Sequence, residues 1–260
     1  GLSQQKGLET IRNLVNKYSI DCDLQQAPAY TYTEQEEKVE EIQKEVEVTK
    51  KIGLPASFTT KTELSYPVKG AIKFENQAHF HPRRYLLNIA EKIVENGGRI
   101  FENSKVVDIE DGNPGFIKTE ENEITAKKIV LATNYPILDK GLFSSRLTSS
   151  RSYVIGTYVK EKTPKGMYIN DEKPIYSVRS QPTDKGQMLK VTGLEHRTGH
   201  VKNTENYYKK LVELTKNKFK VNSIDYYWST QDVYTLDNIP YIGRATPTTK
   251  NFYIATGFHG

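Results

Sequence analysis

Cysteine is nearly missing from this chain: Cys22 is the only one. An intrachain disulfide is therefore excluded, and so is a zinc or iron–sulfur site built from the chain's own cysteines. Such usage suits a reducing cytoplasm, which is the expected location. Long apolar runs are missing too. No stretch approaches the roughly 18 apolar residues of a membrane helix, and the first residues do not form a signal peptide. No membrane partner is expected. Clustered charge of one sign is also lacking. The net charge is +5, from 37 basic and 32 acidic residues in 260. Lys and Glu are interspersed, as in EKVEEIQKEVEVTKK at 37–51. That is the pattern of a solvated helix face, so no nucleic-acid partner is expected.

Catalytic signatures are equally sparse. There is no G-x-S-x-G elbow, no Walker loop and no G-x-G-x-x-G dinucleotide fingerprint. Cys22 lies in a strand-like stretch and is expected in the core. His79 and His81 share a strand face, and His196 and His200 are four apart in what reads as a loop around Gly199. No acidic ligand completes either pair, so no metal site is expected. No catalytic residue can be named from motifs.

What is present is patterned apolar sequence rich in tyrosine, with 17 Tyr. The length allows one large domain or two modest ones. Residues 3–18 place Leu8, Ile11, Leu14, Val15 and Tyr18 on one helical face. CDLQQAPAYTYT (22–33) alternates like a strand, and 34–52 reads as a charged helix with Val39, Ile42, Val46 and Ile52 as its seam. Pro82 opens a helix whose stripe of Tyr85, Leu86, Ile89, Ile93 and Val94 is expected to be buried, and Gly97-Gly98 closes it. Strands follow around a turn at 111–115. The run Ile129–Ala132 reads as a strand buried on both faces. Residues 150–195 are strand-rich, 204–219 are helical, and 223–236 and 251–256 are strands. The mixed order predicts an α+β fold with a sizeable mixed sheet and flanking helices.

Two blocks carry a resemblance. HPRRYLLNIAEKIVENGGRIFENSKVVDIE with ITAKKIVLATN, and WSTQDVYTLDNIPYIGRATPTTKNFYIATGFHG, together resemble the D-amino-acid oxidase-like FAD-dependent oxidoreductases. The resemblance implies a mixed-sheet substrate domain plus the internal part of a glutathione-reductase-like FAD-binding domain. It divides the chain into substrate-domain segments at 1–80 and 150–236 and FAD-domain segments at 81–149 and 237–260. It implies FAD contacts at Val106, at Ala132, Thr133 and Asn134, at Pro240 and Gly243, and at Gly257, Phe258, His259 and Gly260. Asn134 stands where Gly is more usual, which is similar to the polyamine-oxidising and Rieske-linked branch. In the family, the loop matching 257–260 leads into a helix whose positive end points at the flavin.

The implied activity is oxidation of an amine or amino acid by hydride transfer to FAD. Arg179 would clamp a substrate carboxylate. Tyr176, with Tyr153 and Tyr158, would line an aromatic pocket that favours the neutral amine. The resemblance also implies a Rieske [2Fe–2S] domain beyond Gly260. Since the family's N-terminal phosphate-binding glycine motif has no match here, the chain is expected to be an excised middle. It would lack the N-terminal dinucleotide-binding segment and be inactive alone. A non-catalytic interaction module on a flavoprotein scaffold is the alternative.

Overall fold

The structure, a computed structural model, describes residues 2–138 and 141–258. Its elements begin with α1 (Leu2–Tyr18), β1 (Gln25–Gln26), β2 (Ala29–Thr33), α2 (Val39–Lys51), β3 (Ala56–Thr59), β4 (Gly70–Phe74), β5 (Ala78–His79) and α3 (Pro82–Glu95). Then come β6 (Val106–Glu110), β7 (Gly115–Thr119), β8 (Glu123–Ala126), β9 (Ile129–Asn134), β10 (Leu147–Thr157), β11 (Met167–Asn170), β12 (Tyr176–Thr183) and β13 (Gly186–Arg197). The last are α4 (Glu205–Lys218), β14 (Tyr226–Thr235), β15 (Tyr241–Arg244) and β16 (Phe252–Thr256). They fall into two compact units: Gly1–Ile100, Tyr153–Leu194 and Asn203–Trp228 in one; Phe101–Ser152, Glu195–Lys202 and Ser229–Gly260 in the other.

An eight-stranded mixed sheet runs in the order β14-β10-β13-β12-β11-β2-β4-β3. β2 and β11 are parallel, whereas β11–β12, β12–β13, β2–β4 and β3–β4 are antiparallel. The β12–β13 hairpin turns at Asp184-Lys185, between the paired Thr183 and Gly186, and this short loop fixes the register. Side chains alternate across the strands. Tyr176, Val178, Leu189 and Val191 enter one face with Tyr30, Tyr32 and Tyr168, and α4 packs against them through Leu211, Tyr207 and Tyr208. Burying each such side chain contributes roughly 1.5–3 kcal/mol. At the other end of the sheet, Ile42 and Val46 of α2 pack with Ala56 and Ile72.

The second unit holds the antiparallel β6-β7-β8 meander and the sheet β15-β16-β9, in which β9 and β16 are parallel. Ile129, Leu131, Phe143, Val233, Phe252 and Ile254 form its core. Asp111 ties the β6–β7 turn to the start of β16, accepting from the backbone N–H of Lys250 (2.7 Å) and Asn251 (2.9 Å).

Two expectations are corrected. α3 forms as patterned, with Pro82 in its first turn and His81 Nδ1 accepting from Arg84 N, but none of its residues is buried and Leu86 is 63% exposed. The helical period is there, but the stripe is only half covered: Tyr85 and Ile89 are half-buried, with the Tyr85 ring 5.2 Å from that of Phe80, while Leu86, Ile93 and Val94 are exposed. β9 is buried on one face only: Ile129 and Leu131 are inside, while Val130 is 62% exposed. The reason is position. Alternation sends Val130 to the face opposite Ile129 and Leu131, and among the described residues that face is open, so the continuous apolar run has two fates.

Candidate functional site

In the second unit, β9 and β16 run side by side in the same direction and end at the same level, with Thr256 opposite Asn134. Thr256 Oγ1 donates to the Asn134 carbonyl. Both strands then leave through left-handed backbone, Asn134 at φ 61° and Gly257 at φ 78°. A β-carbon on Gly257 would lie 2.3 Å from Thr235 Cγ2 and 3.8 Å from Pro240 Cα, so this position needs glycine for both conformation and space. The carboxyl ends of parallel strands are where open α/β sheets place ligands.

Of the residues implied by the resemblance, Ala132, Thr133, Asn134, Pro240 and Gly257 thus come together at one sheet end. Gly243 lies further along β15, opposite Ile254. Val106 starts β6 on the meander, opposite Thr119 and next to a register shift. Phe258 is half exposed. His259 and Gly260 lie outside the described residues.

In the first unit the candidate substrate residues separate. Tyr176 and Arg179 are three positions apart on β12, an odd step that sends them to opposite faces. Tyr176 is buried in the core, and its hydroxyl donates to Glu34 Oε1 at 3.2 Å. Burial raises its pKa. Tyr153 is likewise in the core, stacked on Tyr207 with ring centroids 5.3 Å apart. The hydroxyl of Tyr158 lies 3.0 Å from Thr183 Oγ1. Arg179 instead lines a cavity of about 210 Å³ with Ala29, Thr31, Phe74, Met167 and Ile169.

Arg179 has a neighbour that motif reading passed over. Lys190 is its direct partner across β12 and β13. Its ammonium donates to Gln181 Oε1 at 3.3 Å. Burial, then the charge of Arg179, pushes Lys190 down to about 8. Burial also lowers Arg179. His79, 6% exposed on β5, is lowered by burial first and then by the charges of Arg179 and Lys190. The missed signal was the TDKG turn: closing the hairpin there makes Arg179 and Lys190 cross-strand partners. Among the described residues, no three His, Cys, Asp or Glu side chains form a metal-holding group. No described helix is long and apolar enough to cross a membrane.

Comparison with known proteins adds a third line. The family model described as FAD dependent oxidoreductase (DAO) matches residues 2–260. The Bacillus subtilis protein YhfW, named as a Rieske 2Fe-2S iron–sulfur protein, is 33% identical over 258 residues, covering 98% of this chain and 51% of that protein. Gamma-glutamylputrescine oxidoreductase of Escherichia coli is 25% identical over 276 residues, 98% of this chain and 62% of that protein. Among solved structures, glycine oxidase from Geobacillus kaustophilus superposes with TM-score 0.78 at 15% identity, over 96% of this chain and 70% of that one. L-proline dehydrogenase from P. horikoshii gives 0.76 at 20% identity, over 98% and 72%. At those identities the structures speak to fold alone. The chain spans 51–62% of the length of these two curated relatives.

Proposed function

The chain belongs to the DAO family of FAD-dependent oxidoreductases, and from that premise we propose that it is part of an enzyme that oxidises an amine or amino acid. The observation that carries this reading is the paired ending of β9 and β16. Two parallel strands stop together, each through a left-handed residue, and present Ala132–Asn134 beside Gly257.

These residues fit one side of a flavin site. Ala132, Thr133 and Asn134 are exposed at the end of β9 and can be approached by a flat ring, while the buried Gly257 lets the neighbouring strand turn away beside them. Ala132, Thr133, Asn134, Pro240, Gly243, Gly257 and Phe258 would hold FAD there, Val106 would meet its adenine, and His259 and Gly260 would continue the loop. FAD, when bound, accepts the hydride from the carbon bearing the amine. The protein's part is to bind, orient and keep the amine unprotonated. In this reading 1–80 and 150–236 carry the substrate side, 81–149 and 237–260 the flavin side, and Arg179 anchors a carboxylate.

The pyrophosphate has no glycine-rich holder in this sequence. We therefore read the chain as one portion of a longer flavoprotein, inactive by itself, with an additional dinucleotide-binding segment and a Rieske domain as further parts. The exposed part of the α3 stripe and the open face of β9 support that reading. Leu86, Ile93 and Val94 of α3 and Val130 of β9 are exposed apolar side chains of the sort another segment covers.

The test is optical. A longer protein containing this chain should purify with a bound flavin band that bleaches when a substrate amine is added without oxygen. The isolated chain, incubated with FAD and desalted, should retain none. A longer protein that binds no flavin would leave the interaction-module alternative standing. Retention by the isolated chain would overturn its incompleteness.

A further inference from the structure

The face of the large sheet opposite the tyrosine core carries an uncompensated charge. Arg179 and Lys190 are cross-strand partners, both partly buried. Cross-strand like charges repel and are normally avoided. Among the described residues no ion pair joins either to a carboxylate, and burial lowers both. Placing two unpaired cations side by side away from water is costly unless something neutralises them.

Around them stand unused hydrogen-bonding groups. Lys190 can only donate, so Gln181 turns its carbonyl oxygen toward it. That leaves Gln181 Nε2 buried without a partner, and His79 Nδ1 is buried and unpartnered too. Gln181 is 5% exposed and His79 6%. Such groups in native proteins are usually met by ordered water, an ion or a ligand. The cavity walls beside Arg179 are mostly apolar, from Ala29, Phe74, Met167 and Ile169, with Thr31 and Ser177 as polar members. Carbon skeleton, not only charge, is accommodated.

We propose that this face binds a small organic dicarboxylate, one carboxylate side-on to the Arg179 guanidinium and the other on the Lys190 ammonium. Gln181, beside Lys190, completes its hydrogen bonds, and the apolar walls beside Arg179 hold its carbons. A single carboxylate would leave one cation unpaired; inorganic phosphate would leave the apolar walls unused. As a statement about the substrate, this rests on the oxidoreductase reading. As a binding site it does not, and its test needs no flavin.

Binding of succinate, propionate and inorganic phosphate is measured by calorimetry and thermal shift on this chain, at equal ionic strength. Succinate should bind about tenfold or more tightly than either of the others, the difference of one charge-assisted contact. Arg179→Gln and Lys190→Gln should each lose about that factor, while Lys44→Gln, an exposed residue on α2, should change nothing. Equal affinity for propionate or phosphate, no succinate binding, or full binding by both variants would overturn the site. The ranking of the three anions on the wild-type chain decides the matter even if a variant does not fold. Failure here leaves the bleaching experiment above untouched, and the converse holds as well.

Discussion

Thr256 donates its hydroxyl proton to the main-chain carbonyl of Asn134, which locks the ends of two parallel strands at one height. The next residue, Gly257, is held by the same packing: Thr235 Cγ2 occupies the place of its missing β-carbon. Gly257→Ala should therefore destabilise the chain by about 2–3 kcal/mol, part from the positive φ and part from the clash. Adding Thr235→Ser removes the clashing methyl and keeps the hydroxyl. The double variant should recover the steric share and not the conformational share. Denaturant unfolding of the three variants checks this. No recovery in the double variant would mean the clash contributes nothing.

The two apolar populations should respond in opposite ways. Leu189 has no exposure and Ile42 only 2%. Truncating either to Ala should cost about 2–5 kcal/mol. Leu86→Lys, on the exposed part of the α3 stripe, should change stability by less than about 0.5 kcal/mol. It should also reduce self-association measured by light scattering. A large loss of stability from Leu86→Lys would show that α3 is buried in solution.

That contrast marks how far the sequence is legible. Helix periodicity placed α3, and a continuous apolar run placed β9, because both signals are local. Periodicity says which side is apolar; it does not say whether anything lies against it. Hence Leu86 and Val130 were expected inside and are exposed. Tyr176 and Arg179 show the same limit at the candidate site. Both looked suited to a substrate, yet three strand positions separate them, and strand parity alone was enough to put them on different faces. The resemblance named Ala132–Asn134 and Gly257 individually, and only the parallel pairing of β9 with β16 brings them side by side. His79 drew notice as half of a possible metal pair, but its relation to Arg179 and Lys190 depends on long-range strand order that no local pattern encodes.

Under the tyrosine core, Glu34 joins two elements. It receives the Tyr176 hydroxyl on Oε1 and pairs with Lys218 on Oε2, and Lys218 also lies 4.5 Å from the centre of the Tyr66 ring. Both charged side chains are about one-quarter exposed. Glu34→Gln keeps an acceptor for Tyr176 and removes only the charge. It should cost about 1–2 kcal/mol, because it leaves Lys218 partly buried and unpaired. Lys218→Met in the same background should cost less than it does in the wild type. A double-mutant cycle with no coupling would show the pair to be energetically idle.

Lys190 makes the pH behaviour of the free chain testable. Its pKa is about 8 in the folded state against an ordinary 10.5. Between those values the unfolded chain binds more protons than the folded one, so stability rises with pH across that window and is lowest below it. His79 is also depressed, so its contribution is present above its ordinary value near 6.5 and is lost as pH falls through its lower folded value. The two windows do not overlap. Lys190→Met should raise the midpoint of thermal unfolding at pH 7 and abolish the rise between pH 8 and 10.5, leaving a reduced acid-side loss, because burial and Arg179 still depress His79. An unchanged alkaline profile in this variant would mean that Lys190 is solvated and carries no penalty, and the argument that an anion belongs beside it would lose its energetic basis.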